Sequence, residues 1–156
     1  MRWRVIAVGT RMPRWVDQGF AEYARRLGSQ RALALEELPP APRSAGRAAA
    51  AAVRTEGERL LAKLRPGDFV TPLDERGREL STRELADWVA TRQREGRDVA
   101  FVIGGPDGLA EAVRARGDFT WSLSRLTLPH ALVRVLLVEQ LYRAHTVLAR
   151  HPYHRD

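Results

Sequence analysis

The chain predicts an α/β domain with a mostly parallel sheet and helices on both of its faces. Two observations carry that expectation. β-rich runs and helix-periodic runs alternate along the whole chain. One run, Val99-Ala100-Phe101-Val102-Ile103, is continuously apolar, the pattern of a strand covered on both faces. The 156 residues match the usual size of one domain, with enough chain for one core and too little for two comfortable ones. No internal repeat and no domain boundary is visible, so residues 1–156 are expected to form one domain.

Arg4 to Val8 is β-rich and stops at Gly9, which marks a first strand. Its apolar run is too short for a signal peptide. Pro13 sits near a helix start, and Trp15, Val16, Phe20, Tyr23, Ala24 and Leu27 then recur at helical spacing up to Gly28. Arg31 to Leu38 fits a second strand. Pro39 to Arg47 is a Pro/Gly loop with two arginines, either a grip for phosphate backbone or a plain connector. The alanine run after it opens a helix that lasts to about Leu64, where Pro66-Gly67 stops it.

Phe69 to Leu73 reads as the third strand. Pro72 cannot donate to a ladder, so it belongs at a strand end or a bulge. Leu73-Asp74-Glu75-Arg76-Gly77 is expected to be a polar turn. Ser81-Thr82-Arg83-Glu84 has capping-box spacing, and the helix it starts turns Leu85, Trp88 and Val89 inward. Asp98 to Ile103 is the strand expected at the centre. The last helix begins near Pro129-His130. Its apolar residues, from Leu132 and Val133 through Leu141 and Tyr142 to Leu148, cover nearly the whole circumference, so it has to be buried on more than one side. A partner subunit is the simple cover, and isologous dimers are the commonest assembly.

Composition excludes several chemistries. There is no cysteine, hence no disulfide, thiolate metal site or cysteine nucleophile. No window approaches a membrane-spanning helix. A cytoplasmic protein is the default. The formal net charge is +7, and Lys63 is the one lysine among the basic residues. Such an excess attracts a polyanion such as RNA, while a GC-rich genome accounts equally well for arginine in place of lysine.

Three segments at predicted strand ends are candidates for a ligand site: Leu73 to Gly77, Gly104-Gly105-Pro106-Asp107-Gly108, and Leu123 to Leu128. In open α/β sheets ligands bind beyond the carboxyl ends of the strands. The glycine pair either lets backbone approach a flat ligand or simply makes a tight turn. It is neither a dinucleotide fingerprint nor a P-loop. His130 either acts on a substrate or stabilises the helix start. The final residues, His151-Pro152-Tyr153-His154-Arg155-Asp156, are dense in groups that stack, titrate and pair with phosphate. The two histidines alone make a weak metal motif, and no metal is expected.

These residues resemble a known family along essentially the whole chain. Val5-Ile6-Ala7-Val8-Gly9-Thr10, Ile103-Gly104-Gly105-Pro106-x-Gly108, Trp121-Ser122-Leu123-Ser124, Leu126-Thr127-Leu128-Pro129-His130, Leu132-Val133-Arg134-Val135, Glu139-Gln140-Leu141-Tyr142-Arg143-Ala144 and His151-Pro152-Tyr153-His154 stand in the order and spacing of the large-subunit pseudouridine N3-methyltransferases (RlmH), a minimal branch of the SPOUT methyltransferases. Pro72 and the alanine-rich surroundings of Arg43 depart from the pattern. The resemblance implies a C-terminal trefoil knot, a homodimer, and S-adenosylmethionine bent among Leu73, Gly104 and the segment Leu123, Ser124, Arg125, Leu126, Thr127 and Leu128. It implies action on a pseudouridine of 23S rRNA within the assembled ribosome, the alternatives being a knotted methyltransferase for another RNA such as tRNA or a non-catalytic ribosome-binding factor.

An activated methyl group leaves the protein to align the attack and to obtain a deprotonated nitrogen. Pseudouridine N3 carries a proton at neutral pH, so a base is needed. His154 is the first candidate, Arg155 would stabilise the resulting anion or hold a phosphate, and His130 is second for either role. Tyr153, and Trp15 as well, are candidates to stack a base. The tail is expected to reach the neighbouring subunit's cofactor.

Overall fold

The computed structural model describes residues 1–28, 32–43 and 48–154. The elements run β1 (Trp3–Val8), α1 (Arg14–Leu27), β2 (Leu33–Leu38), α2 (Ala49–Lys63), β3 (Phe69–Glu79), α3 (Thr82–Glu95), β4 (Val99–Ile103), α4 (Glu111–Arg116), β5 (Trp121–Ser122) and α5 (His130–Leu148). The five strands form one sheet in the order β2-β1-β4-β3-β5, and every pairing is parallel. The continuously apolar run is therefore the middle strand, and all five of its residues are buried.

Alternation along the strands divides the core into two layers. Trp3, Val5, Ala7, Val99, Phe101 and Ile103 pack with α1, α3 and α5. Ile6, Val8, Val70, Ala100 and Val102 face the other way, against Leu60 of α2 and Val113 of α4. Helices thus cover both faces. The half-buried Trp88 meets Phe69, Phe101 and Phe119 at centroid distances of 5.8–6.1 Å, joining α3 to the sheet by aromatic packing. At the amino end of the sheet the buried Arg4 pairs with Asp68 and, at 2.8 Å, with Glu36. A charge removed from water there has both partners supplied.

The caps follow local chemistry. Gly28 and Gly96 end α1 and α3 at φ 78° and 72°, a backbone that suits glycine. Ser81 Oγ accepts from Glu84 N at 3.2 Å while the Glu84 carboxylate accepts from Ser81 N at 2.8 Å. Both halves of the capping box are present.

One expectation needs correction. The segment from Leu73 to Gly77 is no turn: β3 runs on to Glu79, and its pairing with β5 shifts register between Leu73 and Arg78. Pro72 is the last rung of the β3–β4 ladder, opposite Val102, so the missing N–H falls where pairing with β4 stops and the irregular stretch begins. The two-sided apolarity of α5 is met partly within one chain, because α5 contacts both α1 and α3. Leu132, Val135 and Leu136 stay half-buried and Leu148 is exposed.

Candidate active site

The middle of β3 and the carboxyl ends of β4 and β5 open on a cavity of about 620 Å³, within the range of small-molecule sites. All three segments singled out in the sequence line it: Leu73 to Arg76, Gly104 to Gly108, and Leu123, Ser124, Leu126, Thr127 and Leu128. Ile103, Leu109, Trp121 and Val133 add apolar wall, and His130 stands at the edge where α5 begins. Arg125 is not part of the lining. Its side chain is exposed and pairs with Glu79 at 2.9 Å.

The glycine loop is shaped by protein rather than by an approaching ligand. A Cβ on Gly104 would lie 2.7 Å from Gly108 O, and one on Gly105 would lie 2.9 Å from Glu56 Oε2. Gly108 is different: its φ is 84° and nothing lies within 4 Å of the missing Cβ, so conformation alone requires it. Beneath the loop, buried Glu56 accepts from Ala41 N at 2.9 Å and from Arg43 Nη1 at 2.7 Å. Arg43 also holds Asp107 on the cavity wall at 2.8 Å. The Arg43 guanidinium is held protonated well above its ordinary value by these two carboxylates. Arg43 therefore fastens the glycine loop, while Ser44 to Arg47 lie outside the described residues.

On the β3 side, Arg114 donates to Asp74 Oδ2 at 3.2 Å and to Leu109 O at 2.7 Å, bracing two cavity walls. In the third segment Leu126 N donates to Ser124 Oγ at 2.9 Å, and Ser122 Oγ donates to Ser124 O at 3.0 Å. These bonds fold the segment into a tight bend whose outermost side chain, Leu126, is 75% exposed at the mouth.

Arg134 enters the sequence reading only as part of the motif Leu132-Val133-Arg134-Val135. In the structure it is fully buried, donates to Val8 O at 3.2 Å and Gly9 O at 2.7 Å, and pairs with Glu37 at 2.8 Å. It is one helical turn from His130, a spacing that puts the two on one face and was readable as such. Burial, and then the Arg134 charge, push the His130 imidazole below its ordinary value, against a smaller pull from Glu56. Both effects favour the neutral imidazole, the form that can accept a proton.

The C-terminal candidates lie elsewhere in the same chain. Tyr153 Oη donates to Glu139 Oε1 at 3.0 Å, its ring sits 4.7 Å from that of Tyr142, and the Arg143 guanidinium lies 5.0 Å from its centroid. Burial, followed by hydrogen bonding with Tyr23 and Glu139, pushes the phenol up, so it remains a donor. His154 is half-buried beside it. Neither lines the cavity of its own chain, and Arg155 lies outside the described residues. Among the described residues there is no group of His, Asp and Glu that would hold a metal ion, and no helix long and apolar enough to cross a membrane.

A parallel sheet with its cavity at the carboxyl ends of the last strands, closed by the start of a C-terminal helix, defines a class. The chain belongs to the SPOUT methyltransferases: a family model described as predicted SPOUT methyltransferase matches residues 1–154. Its relatives include the ribosomal RNA large subunit methyltransferase H of Methylococcus capsulatus, 49% identical over 155 residues that cover 99% of this chain and 100% of the relative. The protein of the same name from Thiobacillus denitrificans is 50% identical over 156 residues, all of both chains. Among solved structures, a methylase family protein from Haemophilus influenzae Rd KW20 superposes with a TM-score of 0.56 at 16% identity, covering 98% of this chain and 70% of that one. Another from Neisseria gonorrhoeae gives 0.52 at 15%, covering 98% and 85%. At those identities the likeness is one of fold.

Proposed function

We propose that this protein methylates N3 of a pseudouridine in 23S rRNA within the assembled ribosome, with S-adenosylmethionine as methyl donor, and that it works as a cytoplasmic homodimer of single-domain, C-terminally knotted chains. The observation that carries this reading is the convergence of three segments far apart in the chain on one cavity with a histidine at its edge. The names of the full-length relatives support ribosomal RNA of the large subunit as substrate.

The cavity fits the cofactor. Its apolar walls suit an adenine ring, backbone groups of the bent Leu123 to Leu128 segment can read the ring edge, and open space faces Gly108. Leu73, Gly104, Leu123, Ser124, Leu126, Thr127 and Leu128 would hold it, with Arg125 contributing backbone alone. When bound, S-adenosylmethionine supplies a methyl group already activated by its sulfonium. What remains for the chain is to orient the base and take the N3 proton.

His130 can take it from the edge of the cavity. His154, with Arg155 to steady the anion, is the other candidate, and here geometry supports a second copy. Tyr153 is tied to Glu139, nine residues along α5 from His130, or about 13 Å along a helix axis. A tail anchored there serves a neighbouring cavity more readily than its own.

The test is methyl transfer from labelled S-adenosylmethionine to intact 70S ribosomes, free 23S rRNA and tRNA, followed by mass mapping of modified nucleotides. Incorporation into ribosomes at a pseudouridine is the expected outcome. Methylation of tRNA instead would replace the substrate. No calorimetric heat with S-adenosylmethionine would leave a ribosome-binding factor.

A further inference from the structure

We infer that the β1–α1 corner, Arg11 to Trp15, is a docking edge for substrate RNA, in which Arg11 and Arg14 take backbone phosphates and Trp15 stacks a base beside the cavity. The inference rests on the RNA-methylation reading above. Position is the first argument. A Cβ on Gly9 would lie 2.9 Å from Met12 Cε and 3.4 Å from His130 Nε2, so the corner abuts the histidine at the cavity's edge. Farther along, Val135 Cγ1 would lie 3.2 Å from a Cβ on Gly19, and Tyr23 meets Tyr142 at 6.2 Å. The two helices therefore run side by side in the same direction. One turn before Gly19, Trp15 comes level with the first turn of α5.

Exposure and charge are the second argument. Trp15 is 55% exposed, a large aromatic surface left in water. Arg11 and Arg14 are exposed beside it, and among the described residues no acid lies within ion-pair distance of either. Across the central strand, Arg76 lines the cavity from the β3 side, also without an ion pair among the described residues. Two arginines without an ion pair among the described residues, in the same short corner as an exposed aromatic, match a single-stranded nucleic acid, whose phosphates and base faces they bind together.

The experiment measures methyl transfer to 70S ribosomes, and ribosome binding across a series of KCl concentrations, for the full-length protein and its variants. The double substitution Arg11→Ala with Arg14→Ala is expected to raise KM for ribosomes about tenfold while kcat at saturation holds, and to reduce the slope of log affinity against log salt by about 1.4. Trp15→Ala is expected to raise KM about tenfold with no change of slope, and Trp15→Phe to restore most of it. S-adenosylmethionine affinity by calorimetry and particle mass by ultracentrifugation should match the parent protein. Unchanged KM and slope would overturn the inference. So would loss of the assembled species in the variants, which would make the corner an interface between copies. If the parent protein methylates ribosomes and the variants equal it, this inference falls alone. If the parent binds no ribosome, the substrate reading falls and takes the inference with it.

Discussion

At Gly104 one methyl group decides whether the cavity keeps its shape. The space a Cβ would need is occupied by the backbone of Gly108, at 2.7 and 2.8 Å, and backbone cannot swing aside as a side-chain tip can. Gly104→Ala should force the glycine loop open at a cost of about 1–3 kcal/mol and weaken S-adenosylmethionine binding at least about tenfold, read by urea denaturation and calorimetry. His130 supports a prediction about pH. Its folded value lies below the ordinary 6.5, so as pH falls below about 6.5 the unfolded chain gains a proton that the folded chain refuses. Stability should therefore fall on acidification through the window between 6.5 and the lowered folded value, and His130→Asn should flatten that part of the urea-midpoint profile. A parent profile no steeper there than that of the variant would count against the assignment. The glycine loop and His130 were legible in the sequence because each sits at an element boundary. Arg134, Glu56 and Arg43 were not: their partners Gly9, Ala41 and Asp107 lie on other elements, and only the folded chain brings them together.

Among the elements, helices with chemical caps were read closely and β3 was not. Ser81 and Glu84 announce α3 by spacing alone. Ser81→Ala should cost about 1 kcal/mol and lower Tm by about 2–4 °C, leaving ligand affinity unchanged, because neither Ser81 nor Glu84 lines the cavity. Gly77→Ala makes the instructive contrast. A Cβ there would meet the backbone of Trp121 and Ser122 at 2.7 and 2.8 Å, so it should part β3 from β5 and move the Leu123 to Leu128 wall. Thermal melts with and without S-adenosylmethionine should show both a lower Tm and a smaller shift on addition of cofactor. The polar residues from Asp74 to Gly77 resemble a turn because sequence shows their solvent preference but not β5, a two-residue strand too short to announce itself. The apolar circumference of α5 was correctly read as burial on several sides, but the neighbours α1 and α3 were hidden by their distance along the chain.

For the molecule as a whole, the central place of β4 was legible from its unbroken apolarity, whereas the order of the outer strands was not, since parallel connections of similar length fit several orders. The same scale carries the question of shared sites. If a cavity from one copy and a tail from another make each site, His154→Ala and Gly104→Ala homodimers are both impaired, for different reasons. A mixed dimer joins the intact cavity of the first chain to the intact tail of the second, restoring one site, and leaves the other site with both defects. Random exchange makes half the dimers mixed, so activity should recover to about a quarter of that of the parent protein. Sites built within one chain predict no recovery, because every chain in the mixture then carries one defect in its own site. Activity measured before and after subunit exchange, with exchange followed by mass spectrometry of differently tagged chains, separates the two arrangements. Recovery also requires that the tail lie across the neighbour from the anchorage at Glu139, so Tyr153→Phe, which removes the hydroxyl that Glu139 accepts from, should lower the activity of the parent dimer without touching cofactor affinity.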